Sequence, residues 1–220
     1  AIAALAIFLW VSQQLVKGLG VTGMNTPTYW GLYITSFVFF VGLSAGGIVV
    51  AAIVHAFGIE RSRPVARIAE IVAISSIILA TVAILVDMGK PERLFNLFIY
   101  PQWGSPLMWD VTIIVLYTLM ALSMGYLGTR EDLVKCMKAF PKKKGLYNLL
   151  SLGYTDISPQ AIKRDKAALK VLAFLSIPGA VLLHSITAWI LGLIKATPGW
   201  HTALLAPIFI GSALVSGLAM

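Results

Sequence analysis

Residues 30–57 read WGLYITSFVFFVGLSAGGIVVAAIVHAF, a stretch of 28 residues without Asp, Glu, Lys or Arg. A helix rises about 1.5 Å per residue, so about 20 apolar residues cross the ~30 Å hydrocarbon core of a bilayer. The chain of 220 residues is 59% hydrophobic and only 12% charged, whereas soluble domains contain about 25% charged residues. The sequence therefore predicts an integral membrane protein.

The other apolar runs predict an all-α fold, a polytopic bundle of transmembrane helices. The alternating strands of about ten residues that indicate a membrane barrel are absent. We predict a single integral membrane domain over residues 1–220 with about six spans. The predicted spans are residues 1–16, 30–57, 68–86, 106–127, 169–194 and 201–220.

Both ends of the sequence interrupt apolar runs, and the first residue is Ala1. A charged segment typical of a signal peptide does not precede it. We therefore expect the chain to be part of a longer membrane subunit. Proline is favoured at the first helical position and Ser or Thr before it can cap the helix, which predicts helix starts at Thr26-Pro27, Ser105-Pro106 and Ser158-Pro159.

The basic residues predict the orientation of the bundle. Six spans place thirteen Lys and Arg on one side of the membrane and four on the other, and cytoplasmic loops carry the excess. Residues 128–168 hold most of the thirteen and are predicted to form a cytoplasmic basic loop. Two interpretations of this loop stay open: an orientation signal with affinity for anionic lipid, or a docking site for a cytoplasmic partner.

Charge and cysteine content exclude several functions. A net charge of +8 is also found in nucleic-acid-binding proteins, but these need a basic face on a water-exposed domain. In this chain most of the excess positive charge lies in one loop, so we predict no nucleic-acid partner. The single cysteine, Cys136, excludes a disulfide framework, a Cys-ligated zinc site and an iron–sulfur cluster held by this chain alone.

Ionisable residues within spans are costly and are therefore candidates for function. Asp87 ends the third span and Asp110 lies about 6 Å inside the fourth, both at the predicted outer face. His184 lies about 16 Å from Lys195, near the middle of the membrane.

A haem of the b type needs two histidines at one depth, and His55, His184 and His201 lie at three depths, so we predict no haem.

Asp87 and Asp110 are the predicted catalytic residues, although their spacing leaves two interpretations open. A carboxylate near the outer face can accept a proton or hydrogen-bond a carbonyl oxygen, and both interactions suit a quinone headgroup. The alternative is an interfacial acid that the helix dipole stabilises or that pairs with Lys90 or Arg93. We predict no metal site, because the sequence lacks the Glu-x-x-His spacing of dinuclear centres.

Other polar and small residues have structural interpretations. His184 is expected to be a hydrogen-bonded interhelical histidine, or else part of a site. His55 and Glu70 are expected to contact Arg61–Arg67 at the cytoplasmic face. The small residues of Gly42-x-x-x-Gly46 predict close helix packing. Trp103, Trp109 and Trp200 lie near the two acids in sequence. An aromatic belt is predicted from Tyr29-Trp30, Tyr100, Trp103 and Trp200.

Four stretches together resemble the NrfD-like family, the membrane subunits of polysulfide reductase and of related complexes that include alternative complex III. They are GLGVTGMNTPTYWGLYITSFVFFVGLSAGG (18–47), VDMGKPERL (86–94), GSPLMWD (104–110), and HSITAWI through PGWHTALLAPIFIGSALVSGLAM (184–220). The stretches occur in the order found in the family and touch every predicted span except the first.

The resemblance implies a quinol or quinone subunit without haem or iron–sulfur cluster, using menaquinone or ubiquinone as its substrate. It implies a ferredoxin-like iron–sulfur subunit docked on the outer face, connected to a molybdenum or cytochrome subunit. Family quinone-site residues carry over to Asp87 and Asp110, and His184 becomes a candidate for quinone contact or its proton path. Some relatives have His where this chain has Asp87, so the proton chemistry there can differ.

The leading hypothesis is a quinone-interacting subunit of a respiratory oxidoreductase in the prokaryotic inner membrane, rather than a stand-alone enzyme. A membrane anchor without quinone chemistry is the second hypothesis. The third is a proton-translocating module that uses Asp87, His184, Glu70 and His55 as a relay. The absence of paired broken helices argues against a transporter with a midplane substrate site.

Overall fold

The computed structural model of the protein describes residues 2–24, 30–195 and 197–219. The described residues form helices and turns, without a β-strand, so the all-α prediction is confirmed. The helices are α1 (Ile2–Leu9), α2 (Leu32–Phe57), α3 (Arg63–Asp87), α4 (Leu94–Ile99), α5 (Pro106–Ala139), α6 (Lys144–Leu150), α7 (Pro159–Gly192) and α8 (Leu205–Ala219).

Within the described residues, four helices are long and apolar enough to cross a membrane, namely α2, α3, α5 and α7. They match four of the six predicted spans. The predicted first and sixth spans correspond to shorter apolar helices. The first is α1 together with the π-helical turn that follows it (Trp10–Leu15), and the second is α8, which contains 15 residues. The chain therefore forms a membrane helical bundle around four long helices.

The helix ends follow from local sequence. Both α5 and α7 begin at a proline, at Pro106 and Pro159. The Ser158 hydroxyl accepts a hydrogen bond from the amide of Ala161 at 3.2 Å, which caps α7 as predicted. The side chain of Ser105 makes no such bond, so the fixed φ of Pro106 remains as the local start signal of α5. The predicted start at Thr26-Pro27 lies outside the described residues.

Small residues allow α2 to pack closely against two neighbours. On one side a Cβ atom at Gly46 would lie 2.6 Å from the Cα atom of Gly217 on α8. On the other side a Cβ atom at Gly47 would lie 2.9 Å from the carbonyl oxygen of Ala69 on α3. Gly46 therefore has the predicted packing role, and Gly47 shares it. Gly42 instead faces the ring of His184.

The basic segment 128–168 contains more helix than the sequence predicted. Helix α5 continues twelve residues beyond the predicted span end at Leu127, and α6 follows. Arg130 joins the parts of this segment. Its guanidinium group lies 3.2 Å from Asp165 on α7 and stacks on the ring of Tyr154. These contacts connect α5 to α7 and to the loop before α7.

Candidate functional site

A cavity of about 330 Å³ opens between α2, α3, α4, α5 and α7. Twenty of the described residues line it, and four of these are polar or acidic: Thr81, Asp87, Asp110 and Thr187. The rest are apolar or aromatic, such as Phe37, Ile84, Leu94, Ile114 and Leu191. An apolar cavity with a few convergent polar groups has the general character of a small-molecule site. The two acids that the sequence predicted at one face do line the same cavity.

Asp110 occupies the best-defined position in the cavity wall. It lies in the second turn of α5, and only 3% of the residue is exposed. Its Oδ1 atom lies 2.8 Å from the hydroxyl of Thr187 on α7. A buried carboxylate needs hydrogen bonds to offset its lost hydration, and the Thr187 hydroxyl provides one such bond.

The hydroxyl of Thr187 has a second acceptor within reach. Its Oγ1 atom also lies 2.9 Å from the carbonyl oxygen of Leu183, one turn earlier in α7. A hydroxyl carries one proton, so it donates fully to one acceptor at a time. An ionised Asp110 attracts this proton, whereas a protonated Asp110 can donate to Oγ1 while Thr187 donates to Leu183. Both protonation states of Asp110 are therefore accommodated without rearranging a helix.

Asp87 is less buried than Asp110 and has weaker support. It is the last residue of α3, where the negative end of the helix dipole disfavours an acid. Its Oδ1 atom is enclosed and finds no hydrogen-bond partner among the described residues. Neither Lys90 nor Arg93 forms an ion pair with Asp87 or Asp110 in the described part of the chain. The structure therefore does not show the ion pairs with Lys90 or Arg93 that the alternative interpretation includes.

Gln14 supports the end of α3 next to Asp87. It is 3% exposed, although it lies in the π-helical turn of an otherwise apolar segment. Its side-chain amide donates to the carbonyl of Val86 and accepts a hydrogen bond from Tyr33 at 3.2 Å. Sequence reasoning missed Gln14 and Thr187. Gln14 had a signal, because an amide within an apolar run needs a buried partner.

His184 lies outside the cavity. It is 4% exposed and faces Gly42 on α2, three residues before Thr187 on α7. Its Nδ1 atom has no hydrogen-bond partner among the described residues, so the expected interhelical hydrogen bond through this atom is not seen. The structure therefore brings Asp87 and Asp110 together and leaves His184 one helical turn away from the Thr187–Asp110 pair.

The three tryptophans that lie near the acids in sequence, Trp103, Trp109 and Trp200, do not line the cavity. Trp109 donates its indole N–H to the carbonyl of Trp103 at 2.7 Å, and both side chains are exposed. Trp200 stacks on Trp30 with ring centroids 5.8 Å apart, and Trp30 lines the cavity. The exposed Trp103 is consistent with the predicted aromatic belt, whereas Trp30, which was also predicted to belong to the belt, forms part of the cavity wall.

A second polar cluster lies at the opposite, basic end of the bundle. Glu70 on α3 is fully buried, and its carboxylate contacts His55 Nε2 at 2.7 Å and Arg67 Nη1 at 3.3 Å. Arg67 also contacts Asp132 on α5 at 3.6 Å. The predicted contact between Glu70 and the arginines is found at Arg67, but the observed partner of His55 is Glu70 itself. Among the described residues, His, Cys, Asp and Glu do not cluster in threes as metal ligands would.

Comparisons with known proteins place the chain in a family. The family model described as "Polysulphide reductase, NrfD" matches residues 20–220. A putative dimethyl sulfoxide reductase membrane subunit of Halobacterium salinarum is 38% identical over 95% of this chain and 46% of its own length. A selenate reductase subunit of Mesobacillus selenatarsenatis is 29% identical over 94% of this chain and 50% of its own length.

A third relative is the Hdr-like menaquinol oxidoreductase integral membrane subunit of Archaeoglobus fulgidus. It is 27% identical over 100% of this chain and 47% of its own length. The chain thus spans about half the length of these curated relatives. The family match covers both cavity acids, Asp87 and Asp110, and all four long helices. The chain belongs to the NrfD polysulphide reductase family of membrane proteins.

Proposed function

We propose that the protein is a quinol- or quinone-interacting membrane subunit of a respiratory redox complex in the prokaryotic inner membrane. The observation that carries the proposal is the apolar cavity of about 330 Å³ in whose wall Asp87 and Asp110 both lie. The name of the Archaeoglobus relative, a menaquinol oxidoreductase subunit, supports this substrate class and favours menaquinone over ubiquinone.

The cavity residues fit a quinone in size and chemistry. Small-molecule pockets measure about 300–1,000 Å³ and are mostly apolar with few polar groups, as this cavity is. The headgroup needs hydrogen-bonding partners at its two oxygen atoms, and Asp87 and Asp110 can supply them. Asp87 is suited to this role because its enclosed Oδ1 atom has no hydrogen-bond partner among the described residues.

The two acids would exchange protons with the quinone while its electrons pass to or from a partner subunit. Oxidation of a quinol to a quinone releases two electrons and two protons, and reduction consumes the same numbers. Asp110 would accept or return a proton through the Thr187 arrangement, and Asp87 would serve the other oxygen atom. His184, one turn from Thr187, would belong to the path by which protons enter or leave.

Electrons require a partner subunit. One cysteine and three histidines at different depths give this chain no set of ligands for an iron–sulfur cluster or a bis-histidine haem. We therefore place a ferredoxin-like iron–sulfur subunit on the end of the bundle that carries Asp87 and Asp110, with a molybdenum or cytochrome subunit beyond it. Two relatives are named as subunits of a dimethyl sulfoxide reductase and of a selenate reductase, which supports a catalytic reductase subunit as a partner in the complex.

Substitution of Asp110 tests the proposal. In the purified complex, Asp110→Asn keeps the shape of the side chain but removes its ability to take a proton. General acid–base groups contribute about 10²–10⁴-fold to rates, so we expect quinol-linked turnover to fall by at least about 100-fold. The matched control is Asp156→Asn, an exposed acid between α6 and α7. Unchanged turnover of an assembled Asp110→Asn complex would refute the assignment.

A second candidate function is proton translocation, favoured by buried polar groups away from the cavity. Glu70 pairs with His55 near the basic end. Deeper in the bundle, the hydroxyls of Ser44 and Tyr117 lie 3.1 Å apart and both are fully buried. Proton uptake by vesicles that contain the whole complex tests this candidate. Uptake lost in Glu70→Gln but kept in the exposed control Glu60→Gln supports it, and equal uptake in both variants contradicts it.

A simple membrane anchor remains the third interpretation of the chain. It predicts that substitutions at Asp87 and Asp110 change assembly or nothing. Turnover and assembly measured on the same Asp110→Asn preparation distinguish this interpretation from the quinone proposal, because only the quinone proposal requires lost turnover in an intact complex.

A further inference from the structure

A basic pocket of about 170 Å³ lies at the end of the bundle opposite the Asp87 and Asp110 cavity. The end of α2, the turn into α3 and the first turns of α7 form its walls. Among the residues that the structure describes, three cationic side chains line it: Arg63, Lys166 and Lys170. Apolar side chains complete the walls, namely Val54, Ile59 and Leu169.

The charges in this basic pocket do not balance. Glu60 is the acid that lines it, and its two oxygen atoms contact Arg63 and Lys166, each at 3.1 Å. These contacts join the α2–α3 turn to α7 and hold two cationic side chains over the pocket. Lys170 forms no ion pair with any described residue. His55 also lines the pocket, but its Nε2 atom is engaged by Glu70. Three cations thus face one carboxylate, which suits an anionic group.

The surroundings favour an anion carried by a lipid. Beside the pocket, the last turn of α2 exposes 73% of Phe57, and Ile59 in the following turn is 42% exposed. The ends of membrane-spanning helices lie at headgroup level, where basic pockets between helices hold anionic lipid headgroups. A phospholipid could place its phosphate among the cations while its acyl chains run along the apolar surface of α2.

We propose that the headgroup phosphate of an anionic phospholipid binds in this basic pocket between α2, α3 and α7. The phosphate contacts Lys170 directly and shares Arg63 and Lys166 with Glu60. The bound lipid would connect α7 to the α2–α3 turn in the same way as Glu60 does, so it also strengthens the packing of these helices. The proposal does not depend on quinone chemistry.

Lipid retention by the purified complex tests the proposal. The complex is incubated in detergent with phosphatidylglycerol, with phosphatidylcholine or with inorganic phosphate, and the bound species are counted by native mass spectrometry. A basic residue near a lipid surface contributes about 1 kcal/mol, or about fivefold in affinity. We therefore expect Lys170→Gln to retain about fivefold less phosphatidylglycerol than the unsubstituted complex, and Lys166→Gln to lose a similar amount.

The matched control is Lys142→Gln, an exposed lysine between α5 and α6 that lies outside the basic pocket. It should keep full retention. Equal losses in Lys142→Gln and Lys170→Gln would overturn the proposal, because they would indicate diffuse attraction to a basic surface. Equal retention of phosphatidylcholine and phosphatidylglycerol would also overturn it. Inorganic phosphate bound as tightly as phosphatidylglycerol, with the same dependence on Lys170, would overturn the assignment to a lipid.

Discussion

The hydroxyl of Thr187 on α7 lies 2.8 Å from Oδ1 of Asp110 on α5, and the same hydroxyl lies 2.9 Å from the carbonyl of Leu183. This arrangement lets one hydroxyl serve both protonation states of a buried acid. It also connects the two longest helices of the bundle at the wall of the cavity. Thr187 is therefore a positioning residue for Asp110 in the proposed quinone chemistry.

Replacing Thr187 with Val should slow quinol-linked turnover about tenfold or more. The change keeps the size of the side chain but removes the hydrogen bond, and hydrogen bonds to charged groups contribute about 1.5–3 kcal/mol. Steady-state turnover of the assembled complex measures the effect. The conservative variant Thr187→Ser keeps a hydroxyl and should retain most of the activity. Equal losses in both variants would contradict a role for the hydroxyl.

Much of this site could be predicted from the sequence, because acids in apolar spans are rare. The scarcity of charge isolates Asp87 and Asp110, and the length of the apolar runs predicts that they lie at the same face. Thr187 could not be identified in this way. A threonine within a helix can bond its own backbone, so its contact with Asp110 depends on how α5 and α7 pack, which the sequence pattern does not determine.

Replacing Gly217 with Ala should destabilise the bundle, because a Cβ atom there would overlap the backbone of Gly46 on α2. Overpacking of this kind costs about 1–3 kcal/mol. Gly211 on the same helix is the matched control, since a Cβ atom there would meet nothing within 4 Å. Thermal unfolding in detergent should show a lower midpoint for Gly217→Ala. The midpoint of Gly211→Ala should be equal to or higher than that of the unsubstituted protein, because alanine favours a helix interior over glycine. A Gly217→Ala midpoint equal to that of the control would contradict the observed crossing of α2 and α8.

The pair of His55 and Glu70 should contribute strongly to stability, since Glu70 is fully buried. Removing one partner of a buried pair costs about 3–5 kcal/mol. The loss in His55→Ala should lie at the lower end of this range, because Glu70 keeps its contact with Arg67 at 3.3 Å. A double-mutant cycle of His55→Ala and Glu70→Gln, measured by unfolding in detergent, should therefore show strong coupling. Additive effects of the two substitutions would indicate that the 2.7 Å contact contributes little.

This pair also shows where sequence reasoning was incomplete. The sequence places Glu70 near three arginines, and the contact with Arg67 was predicted from that spacing. It does not show that α2 brings His55 closer, because that depends on the rotation of α2 against α3. Gly47 permits the close packing of the two helices, since it lets the backbone of α2 approach Ala69.

Photolabelling with a quinone tests the central claim most directly. The purified complex is illuminated with an azido-substituted quinone, and the labelled peptides of this chain are identified by mass spectrometry. The proposed site predicts labels within residues 81–115 and 187–191, which contain most of the cavity wall, and their loss when unlabelled quinone is added in excess. Labels that fall only outside the cavity-lining segments, or that excess quinone does not remove, would contradict the proposed quinone site.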